Sequence, residues 1–201
     1  MKGKRIWEIG GFLAGAVLIL FGVAAIFMGA TGYTTTRDAI KDEGISFGTT
    51  DDPAVQKYAS QWAGDQVTTG DQARAFAKVM RAHTLEATGG LTYATMGRYQ
   101  SAAKPADPVG TNDENAAAKD ASGQPVANGA RNIWVTETAL TTALNVSYMA
   151  ERLSVFGIVV GIALLLTGVG LVILAFAVFG REPKPAEHAP RPGSPASVMP
   201  S

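Results

Sequence analysis

Histidines, cysteines, serine nucleophiles and clustered carboxylates carry most protein chemistry, so any activity in this chain has to be built from them. The 201 residues include two histidines and no cysteine. Without cysteine there is no thiolate metal site, no thiol nucleophile, no disulfide framework and no lipid-anchor cysteine. His83 stands three residues before Glu86 in a helical pattern, and that spacing predicts an ion pair between them. His188 belongs to the C-terminal tail. A two-histidine, one-carboxylate iron site or a three-ligand zinc site cannot be assembled around His83 alone in a monomer. The chain holds no G-x-S-x-G, no phosphate-binding G-x-x-x-x-G-K-[ST] and no G-x-G-x-x-G behind a strand. Asp71, Asp107, Asp113, Glu114 and Asp120 lack calcium-loop spacing. Asn145-Val-Ser147 has the form of a glycosylation acceptor but falls inside a helical run, where we read it as coincidence. The expectation is a protein with no enzymatic activity, no cofactor and no metal.

The elements that would position such residues are dominated by two uncharged runs, residues 9–30 and 155–179. As helices they reach about 33 and 37 Å, enough for a hydrocarbon core of about 30 Å. Each is predicted to span a membrane. The first is too long for the apolar region of a signal peptide, and Met28-Gly29-Ala30 is a poor cleavage site, so it reads as a retained anchor. Trp7 and Tyr33 bracket it as interfacial aromatics do. Formal net charge is zero, from 17 basic and 17 acidic residues, which argues against nucleic-acid binding through phosphate neutralisation. The charge is unevenly spread. Residues 1–30 and 155–201 carry six basic and three acidic residues; residues 31–154 carry eleven basic and fourteen acidic. The positive-inside rule then places both termini in the cytoplasm and residues 31–154 outside.

Small residues mark both spans at seven-residue intervals: Gly15, Gly22 and Gly29 in the first, Ser154, Gly161, Gly168 and Ala175 in the second. Gly11 with Gly15, and Gly157 with Gly161, add G-x-x-x-G pairs. A seven-residue period keeps one face aligned along a left-handed crossing, and small residues let backbones approach in lipid. Close packing of the two spans in antiparallel, or of spans between protomers, is expected. Neither span contains a charge, histidine, proline, asparagine or glutamine, which argues against an ion pathway or proton relay.

Residues 31–154 are long enough for one domain, but only 17 of these 124 are Leu, Ile, Val or Phe. Such a thin core must borrow stability from the spans or from a second copy. The first helix is expected to continue to about residue 43, with Gly44 as its stop. Asp52 before Pro53 reads as a capped helix start, followed by Val55, Tyr58 and Trp62 at helical spacing. Another helix opens at Gly70-Asp71 and ends at Gly89-Gly90, with Phe76, Val79, Met80, His83 and Ala87 on one face. Residues 91–99 suggest a further short element with Tyr93, Met96 and Tyr99 apolar. Residues 101–131 are poor in large apolar side chains and rich in turn formers, a long loop that either binds a partner or is solvated. Residues 132–180 are predicted as one continuous helix rising about 30 Å above the membrane before the span begins. Residues 180–201, with six of the ten prolines, read as a disordered cytoplasmic tail.

Three stretches resemble an actinobacterial family of two-span membrane proteins of unestablished function: Met1-Lys-Gly-Lys-Arg-Ile-Trp-Glu-Ile-Gly-Gly11, Gly90-Leu-Thr-Tyr-Ala94 and Asn132-Ile-Trp-Val-Thr-Glu-Thr-Ala-Leu140. The resemblance covers both spans and most of the outer segment, not the tail. Members often carry the automatic label aromatic ring-opening dioxygenase, which the residues here contradict, because His83 alone cannot make that iron site. The resemblance implies a high-GC Gram-positive plasma membrane and supplies no catalytic residues.

The sequence thus describes a mainly α protein. A two-transmembrane-helix hairpin comprises residues 1–8 (cytoplasmic), 9–30 (first span), 31–154 (extracytoplasmic helical domain), 155–179 (second span) and 180–201 (tail). It reads as a structural or accessory subunit of a homo-oligomer or a larger membrane complex. Its expected partners are lipid and itself or another membrane protein, with no small-molecule substrate indicated. The alternative is an envelope sensor or ligand-binding module using the outer domain.

Overall fold

A computed structural model describes residues 2–179. The Pro-rich tail, with His188, lies outside them, as do the side chains of Trp7 and the basic N-terminal flank. The protein is mainly helical, with no strand among the described residues. Its helices are α1 (Lys2–Asp42), α2 (Pro53–Ala59), α3 (Gly70–Ala87) and α4 (Gly129–Phe179), with single 3-10 turns at Ser60–Trp62 and Tyr93–Thr95. Two of them, α1 and α4, are long and apolar enough to cross a membrane.

Local chemistry sets the helix ends. α1 stops where Gly44 turns to φ +64°, a conformation that costs other residues a steric penalty, and its N–H returns to the Lys41 carbonyl at 3.0 Å. At the start of α2, Asp52 Oδ1 accepts the N–H groups of Ala54 and Val55 at 2.8 and 3.4 Å, ahead of Pro53 in the first turn. α3 is capped by Thr69, whose hydroxyl accepts the Gln72 N–H at 3.2 Å. α4 begins three residues earlier than the sequence suggests, because Asn128 Oδ1 accepts the Ala130 N–H at 3.1 Å and closes its first turn. No proline interrupts the 51 residues that follow.

The chain divides into two compact units, Met1–Leu20 with Leu164–Ser201, and Phe21–Ala163. In the first, α1 and α4 lie against each other, and Phe12 meets Phe176 edge to face at 6.2 Å. In the second, α2 and α3 share a core with the stretches of α1 and α4 that belong to that unit. The core is built from Ile40, Phe47, Val55, Val67, Val79 and Leu144, with five alanines between them. Ile40 comes from α1 and Leu144 from α4, so the two short helices do complete their core with the long ones. Phe47 is held between Trp62, stacked at 6.0 Å, and Phe76, edge-on at 5.5 Å.

One expectation is corrected here, the reach of the apolar face of α3. The apolar face of α3 is buried or half-buried from Phe76 to Met80 and runs out at His83 and Ala87, which are exposed. The short element expected in residues 91–99 is a 3-10 turn at Tyr93–Thr95, with Met96 buried and Tyr93 42% exposed. Residues 101–131 contain no regular element before α4, yet their backbone is paired. Tyr99 and Thr111 exchange N–H···O bonds at 2.9 and 2.8 Å, Gln100 donates to Val126 at 2.9 Å, and Ala118 donates to Gln100 at 2.8 Å. Asn128 fastens this loop from inside, donating to the Gly97 and Pro108 carbonyls at 3.0 and 2.9 Å. The Tyr99 hydroxyl donates to Glu114 at 2.9 Å; that bond, ahead of desolvation and the Glu114 charge, raises the phenol above its ordinary range.

Candidate functional site

The small residues singled out in the spans lie where the helices approach. In the first unit, a methyl group added at Gly15 would stand 2.7 Å from the Gly168 carbonyl oxygen, and one at Gly168 would stand 2.6 Å from that of Gly15. Gly11 faces the buried Ala175 Cβ at 3.6 Å. In the second unit, a methyl at Gly161 would stand 2.7 Å from the Gly22 oxygen, and one at Gly29 would stand 2.7 Å from the Ser154 oxygen. Gly157 is looser, 3.8 Å from Ala25 and Gly29. At Gly15, Gly29, Gly161 and Gly168 the obstructing atom is a backbone oxygen of the other helix, so no rotamer change relieves it. Each unit thereby turns its small residues inward and leaves Val17, Leu20, Phe27, Phe156 and Leu166 exposed.

Sequence reasoning missed a polar junction in the second unit. Glu151 of α4 is 6% exposed and accepts both Arg37 Nε at 3.1 Å and the Gly70 N–H at 2.9 Å through Oε2. The carboxylate sits at the N-terminus of α3, where the helix dipole favours negative charge. A methyl at Gly70 would stand 2.9 Å from the Tyr148 Cα, so glycine is what lets α3 begin against α4. Next to it, Arg152 Nη2 reaches both oxygens of Asp71 at 2.6 Å. That hydrogen bond, followed by the Asp71 charge, raises the guanidinium pKa further above its ordinary value. A lone carboxylate near the end of an apolar run was the available signal for Glu151. Its burial depends on α3, which the helical pattern of α4 does not encode.

The second missed feature is a groove of about 700 Å³ between α2, α3 and α4. Lys57, Arg74, Lys78 and Arg81 line it, with Tyr58 beside them and Glu137 at its wall. Glu137 is 3% exposed. Arg81 Nε stands 3.1 Å from Glu137 Oε1, pairing its charge, but off the line of a hydrogen bond, so Oε1 accepts none among the described residues. Arg81 also lies over the Trp134 ring at 4.5 Å, Arg74 over Tyr148 at 4.7 Å, and Lys57 over Tyr58 at 5.1 Å.

His83 does not pair with Glu86. Its Nε2 is 2.8 Å from Asp52 Oδ2, the N-cap of α2, which joins α3 to α2 across 31 residues of sequence. Desolvation raises the Asp52 pKa, but the N–H groups of Ala54 and Val55 and the His83 ring outweigh it, and the carboxyl lies below its ordinary value. Among the described residues no three His, Cys, Asp or Glu side chains gather as metal ligands. Asn145 lies inside α4, its Nδ2 donating to the Thr141 carbonyl at 2.8 Å. The chain matches no protein-family model, no curated protein and no solved structure.

Proposed function

We propose that this chain is a non-catalytic integral membrane protein, a structural or accessory subunit that associates with itself or with another membrane protein. In this reading α1 and α4 cross a bacterial plasma membrane, both termini are cytoplasmic, and residues 31–154 stand outside. The apolar windows of α1 and α4 are only 11% and 17% buried, and lipid is the solvent that such faces require. The charge asymmetry between tails and middle supports the orientation, and the resemblance to actinobacterial two-span proteins supports the membrane.

The observation that carries the accessory role is the outward face of α4 between its start and the span. Val135, Val146, Met149 and Leu153 fall on one side of the helix and are 53–69% exposed. The opposite side, with Trp134, Glu137, Thr141, Leu144 and Glu151, is buried. A stripe of large apolar side chains outside the lipid is an association surface. The small residues of the spans are already engaged within the chain, so association falls to this face.

The absence of native cysteine makes the test clean. Met149→Cys is introduced and intact cells are treated with an impermeant maleimide and, separately, a short bifunctional thiol crosslinker. Labelling from outside and a discrete crosslinked species are expected. Labelling only after permeabilisation overturns the orientation, and a crosslinked pattern no different from the cysteine-free parent overturns the association.

A further inference from the structure

We infer that the outward face of α4 is the seam of a parallel homodimer, in which α4 of a second copy packs against it across a two-fold axis along the membrane normal. The inference rests on the membrane-spanning, accessory reading above and names the partner that this face takes.

Val135, Ala139, Thr142, Val146, Met149 and Leu153 follow one another at alternating intervals of four and three residues, and Phe156 continues the series; every one is exposed. This is the a/d spacing of a left-handed coiled coil, with Val135, Thr142, Met149 and Phe156 at d and the other three at a, held over about 33 Å of helix. On the opposite side Glu137, Leu144 and Glu151 repeat at seven residues and are buried against the rest of the chain. One apolar face is enough to dock a helix on its own domain. The second face finds no partner among the described residues.

The flanks favour a second copy over a protein of another sequence. Charged residues at e and g select partners in coiled coils. Here those positions hold Thr136, Thr138, Ala143, Asn145, Ala150 and Arg152. The one charge, Arg152, is already held by both Asp71 oxygens at 2.6 Å. Nothing along the seam therefore asks for an oppositely charged partner, and nothing repels an identical one: in a parallel pair Arg152 comes opposite Gly157, not its own counterpart. Two copies inserted in the same sense stand parallel at the same height, so the face meets itself in register. Thr142, the polar residue of the series, then meets Thr142 of the second copy. Its hydroxyl is already donated to the Thr138 carbonyl at 2.6 Å, so burying it strands no donor.

The size is also sufficient. Val135, Val146, Met149, Leu153 and Phe156 expose roughly 600 Å² per copy, and the smaller residues beside them bring the seam toward the ~800 Å² per partner of a standard interface. Near Val135 the seam forms the floor of a groove of about 540 Å³ walled by Tyr93, space that side chains of the second copy fill.

The test uses the full chain in native membranes at low expression. Val146→Cys, Met149→Cys and Leu140→Cys are made singly in the cysteine-free chain and mildly oxidised; Leu140 is also exposed but lies off the seam. A disulfide-linked product of twice the 20.9 kDa chain mass is expected at Val146 and Met149, at least about fivefold more than at Leu140. Equal product at all three positions overturns the seam and leaves self-association standing. A discrete product of any other mass overturns the second copy as partner and leaves the accessory reading standing. No product at any position, with oxidant or with a short bifunctional crosslinker, overturns both. Val146→Glu with Met149→Glu, both at exposed positions, should weaken the dimer about tenfold or more in sedimentation equilibrium of the solubilised chain, with its helical circular dichroism retained. A dimer fraction unchanged by the two carboxylates overturns the seam.

Discussion

The Glu151 carboxylate of α4 accepts the backbone N–H of Gly70, the first residue of α3, at 2.9 Å. The same oxygen takes Arg37 Nε from α1 at 3.1 Å. One buried carboxylate therefore fixes where three helices meet, and its removal leaves a guanidinium and a helix-end N–H without their acceptor. Glu151→Ala is expected to cost roughly 2–3 kcal/mol, below the full value for a buried pair because Arg37 is a third exposed. Glu151→Gln keeps an acceptor and should cost about half as much. Thermal unfolding of the solubilised protein measures both, and equal midpoints for the alanine variant and wild type would contradict the junction.

Gly161 and Gly170 lie on the same helix and should respond in opposite ways to the same methyl group. At Gly161 it meets the Gly22 carbonyl oxygen and the Ile26 backbone nitrogen at 2.7 and 2.8 Å; at Gly170 nothing lies within 4 Å. Gly161→Ala is expected to push the helices apart and to destabilise by roughly 1–3 kcal/mol. Gly170→Ala should be neutral or slightly stabilising, because alanine is the better helix former. Melting of the two variants side by side checks the contrast, which disappears if the helices do not pack through their small residues.

Asp52 gives a pH dependence of definite sign. Its folded pKa is lowered, so the stability it contributes is present above the unfolded carboxylate value of about 3.9 and is lost as pH falls through the folded value. The thermal midpoint of Asp52→Asn should fall below that of wild type at neutral pH, and the gap should close below about pH 4. A gap that stays constant down to pH 2 would show that the charge of Asp52 is not what caps α2 and holds His83.

Asn128 is 5% exposed and uses both ends of its amide, donating to Gly97 and Pro108 and accepting from Ala130. Asn128→Ala should cost roughly 2–3 kcal/mol, the sum of a lost cap and two stranded carbonyls. The loss should be local: limited proteolysis is expected to cut within residues 101–127 several-fold faster while the far-ultraviolet circular dichroism of the long helices persists. Unchanged cleavage would mean that the loop is held by its backbone bonds alone.

The sequence by itself determined what depends on short-range chemistry or on period. Gly44 as a stop and Asp52-Pro53 as a start were legible because each acts on its own backbone neighbours. The unbroken run into the second long helix was legible because it lacks proline, and the facing of small residues because a seven-residue repeat keeps them on one side of a helix. Tertiary structure decided everything that pairs residues far apart in the chain. His83 went to Asp52 rather than to its neighbour Glu86, since a contact between packed helices holds it more firmly than a flexible pair along one exposed face. Glu137 gave no sign of burial, and Glu151 only its place beside an apolar run, because a carboxylate in an amphipathic helix looks solvated until another helix covers it. The groove exists only where α2, α3 and α4 converge: Arg74 and Lys78 are four apart on α3, but nothing in their spacing to Lys57 or Glu137 could bring those residues to them.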